Sequence, residues 1–572
     1  MNVRIFYYIF FLLLFLPAII NAQGEQEEIK REVTLYNPFK PSLNKANKIN
    51  FSPVISDTSV TMPEFRYMIN AKPFMPEYEI VTISAARLQP DPLPKLYRGF
   101  VNLGLGNYFS PLAELSLTSD RSRKSRSGLY FGHQSSFAKL NIDEDTRVYG
   151  GYMDNMLKVY TGRLFRRTAL DANIDFNHTR RYAYGGVPDS LALVEVDKEN
   201  LLIEYLNPAA KINLYSTRLD SSKMYFDVGL NYELLLQTRR YYQHMAGLTA
   251  DLGYDVGILY AKLDLGYELI TIPNIEDKVR HQVRLLPSVS KKSNNFEFKL
   301  GLKLFADARY YYEDVVSYST KLFFYPDMKL EISVIPGILN MNVGLDGDYK
   351  SNNASEIVYI NPFVVQQAPA GGIEPSDKLY TVLPSSTELR VKGGINGYAS
   401  TGTSYSLGVS YSMFDDMVFF KNDTILGRGF VPVYDTGELL EIKAGLTTKL
   451  SSELSLSAHG GYYNYTLEYL DRPWHKPTWD AGMVINYNLR DKIIARADIH
   501  AISKRFAGLG TEPYSLTEIP MNVSLSLGLE YRYTKILSFW TRLNNIAIDR
   551  YYEWNYYPAQ RFLFMAGFTY SL

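Results

Sequence analysis

The stretch Arg561-Phe562-Leu563-Phe564-Met565-Ala566-Gly567-Phe568-Thr569-Tyr570-Ser571-Leu572 decides how the rest of the chain is read. Phe562, Phe564, Ala566, Phe568, Tyr570 and Leu572 recur at every second position, while Arg561, Gly567, Thr569 and Ser571 fall between them. A β-strand sends successive side chains to opposite faces, so this is a strand with one apolar and one mostly polar wall. Met521–Tyr533 repeats the design, with Val523, Leu525, Leu527, Leu529, Tyr531 and Tyr533 opposite Asn522, Ser524, Ser526, Gly528, Glu530 and Arg532.

The pattern extends far upstream. Phe296, Phe298, Leu300, Leu302 and Leu304 alternate with Glu297, Lys299, Gly301, Lys303 and Asp307, and shorter runs start at Met224 and Leu440. A soluble sandwich also alternates, but its strands average about five or six residues. The longer runs here last about ten to thirteen, and about 9–11 suffice to cross a bilayer at a tilt. Short turns such as 291–295, 400–404, 450–453 and 533–535 alternate with long aromatic-rich segments: 184–200, 310–316, 350–387, 419–437, 469–479, 506–520 and 545–560. That asymmetry matches barrels with periplasmic turns and extracellular loops. The expected fold is all-β: a transmembrane antiparallel up-and-down barrel over residues 96–572. Walking the alternation gives about 22 strands, or about 20 if the blurred boundaries before Ala169 hide fewer.

Composition fits. Tyr (47) and Phe (30) bring the aromatic share to 14%, yet mean hydropathy is slightly negative, as expected when one face meets lipid and the other water. Tyr531, Tyr533, Phe568 and Tyr570 sit near strand ends, and Tyr310–Tyr312 beside a long segment, where tyrosine suits the lipid–water boundary. Lys plus Arg and Asp plus Glu balance at 60 each, so no net field points to nucleic acid. Cysteine is absent, which excludes disulfides, thiol catalysis and cysteine-held metals.

Two segments precede the expected barrel. Residues 1–22 read as a cleaved signal peptide, with Arg4, the apolar run Ile5–Leu16, Pro17 and small residues before Gln23. Export together with the expected barrel implies a bacterial outer-membrane location. Residues 23–95 carry Pro38, Pro41, Pro53, Pro63, Pro73, Pro76, Pro90, Pro92 and Pro94, and read as an extended periplasmic segment.

Near the C-terminus, Leu537-Ser538-Phe539-Trp540-Thr541-Arg542-Leu543-Asn544-Asn545, then Asp549-Arg550-Tyr551 and the final strand, is similar to the last two strands of TonB-dependent receptors. The match covers roughly the final 40 residues well and the remainder in style. The final Leu572 replaces the more usual Phe. The resemblance implies an outer-membrane uptake barrel. These receptors carry a plug of well over a hundred residues, so residues 23–95 point to a member lacking a recognisable plug. Glu79–Arg87 loosely resembles the extended box through which TonB pairs by strand addition.

The lumen-facing polar candidates are Glu297, Lys299, Lys303, Asp307, Glu441, Lys443, Arg496, Asp498, His500, Glu530 and Arg532. Their mixed signs give no single-sign selectivity ring, and a wide barrel needs such an interior simply to stay hydrated. The extracellular-loop candidates are Trp474, His475, Trp479 and Trp554, read either as platforms for sugars or a lipoprotein lid, or as an upper aromatic girdle. The seven histidines show no metal-ligand spacing and are expected to be solvated or lumen-facing. No Ser–His–acid pattern or phosphate loop stands out, so neither enzyme nor cofactor is expected. The expected function is passage or binding of a polar solute through the lumen. The alternative is a structural or assembly subunit anchoring partners. Outer-membrane lipid is the expected surrounding, and a periplasmic or surface lipoprotein a candidate partner.

Overall fold

The computed structural model describes residues 97–572, apart from the internal stretches 120–121, 123, 142–146, 187–197, 218–223, 238–240, 273–277, 313–315, 365–383, 423–428, 510–514 and 548–549. Residues 1–22, 23–95 and the 79–87 segment therefore lie outside the described residues.

Twenty-two strands form one sheet, every pairing antiparallel between chain neighbours until the last strand meets the first. Leu563–Ser571 pairs with Gly99–Gly106 in the register Phe100↔Ser571 to Gly106↔Met565, which closes the barrel. Closure removes free sheet edges, the condition for β-structure in hydrocarbon. At the seam the strands approach very closely. A Cβ on Gly567 would lie 2.2 Å from the carbonyl oxygen of Leu103, and one on Gly104 would lie 2.4 Å from Trp540. Trp540 is buried and its indole N–H donates to Asn102 at 2.6 Å.

The register carries the sequence alternation around the wall. Leu103, Phe568, Phe539 and Tyr531 follow one another along the pairing. Each is well exposed, as are Leu300, Leu302, Phe324, Val343, Leu407 and Leu527. Because apolar residues fill this face on strand after strand, it is the lipid-facing exterior. Pro287 pairs with Leu263 on one side but leaves a gap between Leu285↔Leu304 and Ser288↔Gly301 on the other, where its missing N–H would have been needed. No helix among the described residues is long and apolar enough to cross a membrane.

One end carries tight connections: 165–167, 256–259, 293–295, 336–338, 401–402, 450–453, 490–492 and 533–536. Gly257 (φ 94°) and Gly337 (φ 75°) supply the left-handed backbone that two of these turns require. Leu572 and Gly99 share this end, the periplasmic one. The opposite end carries the long connections together with short ones at 107–109, 238–240 and 273–277, and two segments differ from expectation. The strands Phe296–Tyr312 and Val316–Ile335 are long enough to leave only 313–315 between them, and Thr403–Asn422 and Phe430–Lys449 leave only 423–429. These segments continue the alternating pattern, and pairing beyond the bilayer satisfies their backbone better than a loop does. The side chains of Tyr310, Tyr311 and Tyr312 lie outside the described residues.

Candidate functional site

The extracellular mouth is crossed by a compact roof. Its first part is the helix Ala354–Ile360, inside the long connection after Lys350. Asn353 caps it, its Oδ1 accepting from Glu356 N at 2.9 Å. The wall holds its start: Ala354 N donates to Gln243 Oε1 at 3.1 Å, and Arg280 Nη1 donates to Ser351 O at 2.8 Å. Ile357 and Val358 are buried in a cluster with Ile203, Tyr205 and Leu235 from one wall and Val418, Phe420 and Phe430 from the opposite one. Tyr359 points away and is 91% exposed. After the helix, Phe363 stacks on Tyr557 with centroids 4.0 Å apart, and Phe430 N donates to Phe363 O.

The second part is built from the last three long connections. His475 Nδ1 contacts Phe420 O at 3.1 Å and Nε2 accepts from Asn555 N at 3.4 Å, so the imidazole is a neutral Nδ1–H tautomer. Burial, with the nearby Arg505 guanidinium second, pushes its pKa down to about 3. Asn555 also donates to Asn422 at 2.9 Å. Trp554 packs against His475, Phe430 and Phe420 at 5.1–5.4 Å. Trp474 is 1% exposed, close against Gly508 in the hairpin Arg505–Leu509/Ser515–Ile519. Tyr184, whose hydroxyl donates to Pro558 O at 3.0 Å, is held far above the usual phenol range by burial.

Beneath the helix lies a chamber of about 760 Å³. Its wall presents Glu114, Gln134, Asp154, Asn177, Thr179, Arg181, Asn207 and Glu233, and its ceiling Glu356 and Tyr359. A second cavity of about 370 Å³ shares Glu233, Lys350, Ser355 and Glu356 with it. Arg181 pairs with both oxygens of Asp154, at 2.9 and 3.0 Å. Glu114 accepts from Asn102 at 2.7 Å and Glu233 from Asn207 at 2.8 Å. A concave site with several fixed polar groups and an aromatic ring is the usual form of a small-molecule pocket.

The sequence-selected polar residues lie on the face opposite the lipid-facing one, and most are braced in pairs. Asp307 is buried between Arg280 and Arg309, both 2.9 Å away, and accepts from Tyr349 at 2.8 Å. Lys299 pairs with Asp327, and Glu297 with Lys292 at 3.4 Å. Lys303 donates to Gly347 O at 2.9 Å. Glu441–Lys443, Arg496–Asp498 and Glu530–Arg532 pair two residues apart on single strands, at 2.9, 2.7 and 3.4 Å. His500 shares their face, opposite Gly482 and Ser524. None of these residues lines the two cavities.

Of the loop aromatics, Trp474, His475 and Trp554 turn inward as roof core, which removes them as exposed platforms for sugars or a lid. Trp479 begins a strand opposite Tyr462 on the lipid-facing side and is 37% exposed, a girdle position. The chamber residues Glu114, Asp154, Asn207 and Glu233 went unselected because alternation says which face a residue takes, not which residues a returning helix will cover. Among the described residues no cluster of His, Asp or Glu is arranged to hold a metal.

The histidines also sort differently from expectation. His133, His178, His244 and His281 share the lipid-facing side, since the register links His133 to Ala113 and Leu103, His178 to Leu206, His244 to Leu234 and His281 to Leu269. His459 and His500 face the lumen and His475 lies in the roof.

No protein-family model matches the sequence, and no curated protein does. Solved structures do match. The ferric-catecholate import receptor Fiu from E. coli K12 aligns with TM-score 0.62 at 9% identity, over 84% of this chain and 82% of that one. The FrpB iron transporter from Neisseria meningitidis gives 0.65 at 9%, over the same shares. The pyoverdine outer membrane receptor FpvA from Pseudomonas aeruginosa gives 0.62 at 10%, over 84% and 79%. At such identities the likeness speaks to architecture. The chain has the closed 22-strand barrel fold of these outer-membrane receptors, and its apolar exterior belongs in the same kind of membrane.

Proposed function

We propose that the protein is an outer-membrane uptake barrel that binds a polar solute in the chamber beneath its extracellular roof. The observation that carries this reading is the chamber itself. It is roomy, lined by carboxylates, amides and a paired arginine beside Leu112, Met156, Leu235, Val358 and Ile360, and covered by a helix held against both walls. A barrel serving only as an anchor has no need to order a returning helix over a cavity that sets fixed polar groups beside apolar ones. The fold likeness to an import receptor and to an iron transporter supports uptake as the general class. The prolines of residues 23–95 and the box-like 79–87 segment would make TonB a partner only through direct strand pairing.

Planar-bilayer recording of the full-length protein tests the reading. With the roof in place the barrel conducts weakly. Removal of residues 352–364 is expected to raise conductance severalfold while heat-modifiability on gels is retained. Unchanged conductance, together with a stoichiometric partner that co-purifies from gently solubilised membranes, would favour the structural-anchor alternative.

A further inference from the structure

The chamber and the smaller cavity beside it meet at Glu233, Lys350, Ser355 and Glu356. Glu268 lines the smaller cavity as well, so three carboxylates, from two wall strands and the roof helix, surround one space. The guanidiniums around them are already committed. Arg181 holds Asp154, Arg284 holds Asp264 at 3.1 Å, and Arg280 holds Asp307 at 2.9 Å. Lys350 is the remaining lysine or arginine that lines either cavity, and Lys476, close to it, lines neither. One ammonium group therefore opposes three carboxylates at the junction.

Glu356 makes the imbalance sharper. Its Oε2 is sealed from solvent and accepts no hydrogen bond, an arrangement that costs free energy unless positive charge lies near. Tyr359 hangs from the same helix into the chamber and is 91% exposed, while Ile357 and Val358 beside it are buried. At the far end of the chamber Glu114 accepts from the Tyr130 hydroxyl at 3.3 Å, again a carboxylate beside an aromatic ring. Leu235, Val358 and Ile360 supply apolar lining between them.

These features select among cations. A hard metal ion needs oxygens converging at about 2.3–2.6 Å, and among the described residues no group of His, Asp or Glu is arranged that way. An ammonium group accepts carboxylates spread around it, and aromatic faces attract it too. An apolar body attached to it would cover lining that is otherwise bare to water.

Resting on the reading of the chamber as the solute site, we propose that the solute is an organic cation, a protonated amine on an apolar body. Its ammonium lies at the junction of Glu233, Glu268 and Glu356, and its body lies against Leu235, Val358 and Tyr359.

Calorimetric titration of the full-length protein in non-ionic detergent tests this with three probes of similar shape: phenylpropylammonium, phenylpropanol and phenylbutanoate. The ammonium is expected to bind about tenfold more tightly than the alcohol, as one charge-assisted contact provides, and the carboxylate more weakly than either. Glu233→Gln/Glu356→Gln should bring the ammonium down to the affinity of the alcohol and leave the alcohol unchanged. Lys350→Met, which removes the opposing charge, should strengthen ammonium binding severalfold. Heat-modifiability on gels confirms that each variant is folded, and the comparison of probes on the wild type stands without any variant. Alcohol or carboxylate binding as tight as the ammonium overturns the cation assignment and leaves the chamber a solute site. An ammonium preference that survives in the folded double variant overturns the assignment to these carboxylates. Binding of none of the three overturns the cation and the chamber together.

Discussion

Removing the Asp307 carboxylate gives the sharpest energetic test of how the lumen is braced. Asp307 accepts from Arg280 Nε and Nη2 at 2.9 and 3.0 Å, from Arg309 Nε and Nη2 at 3.1 and 2.9 Å, and from Tyr349 at 2.8 Å. Its side chain is 1% exposed, and those of Arg280 and Arg309 are 11% and 15% exposed. Asp307→Ala therefore strands two guanidiniums away from water, a loss of about 3–5 kcal/mol for breaking a buried pair. Arg280 also holds Ser351 at the root of the roof helix, so part of the loss is felt there. The control is Glu441→Ala. That carboxylate pairs with Lys443 at 2.9 Å, but the two side chains are 27% and 57% exposed, and a water-screened pair contributes about 0–1 kcal/mol. Urea titration of the folded barrels in vesicles, followed by fluorescence and gel mobility, compares the two. Asp307→Ala/Arg280→Met should recover part of the loss, because it removes a buried charge along with its partner. If Asp307→Ala costs no more than Glu441→Ala, burial is not what sets the strength of these pairs.

Further outcomes are expected from the roof and the seam. His475 has a folded pKa of about 3 against about 6.5 unfolded, so the open roof binds one more proton between those values. Roof stability is complete above about pH 6.5 and falls as pH drops toward 3, by at most about tenfold in opening constant per pH unit. Hydrogen exchange at residues 554–558 reads this, and no change in exchange down to pH 4 would refute it. Trp474→Ala should cost the roof about 3–5 kcal/mol. Proteolysis within 468–478 should rise sharply while the barrel stays heat-modifiable; loss of the barrel itself would show that the roof is not a separate layer. Gly567→Ala places a methyl against the Leu103 carbonyl, so the heat-modifiable fraction after membrane insertion should fall severalfold, and normal assembly would show that the seam relaxes freely.

Sequence alone determined the wall. Two-residue alternation is a local property of the strand, so Phe562–Leu572 or Val523–Tyr533 reveals both its faces without reference to any neighbour. The order of short turns and long connections also followed from local chemistry, and with it the count of about 22 strands. Alternation did not reveal how far strands run beyond the bilayer, so Tyr310–Val316 and Phe419–Gly437 read as loops although most of their residues are paired. Tertiary structure decided the rest: that Trp474, His475 and Trp554 form a roof core, that Ala354–Ile360 returns over Glu114, Asn207 and Glu233, and that Asp307 meets Arg280. Those contacts join residues far apart in the chain, and their partners are fixed by register and closure of the whole sheet.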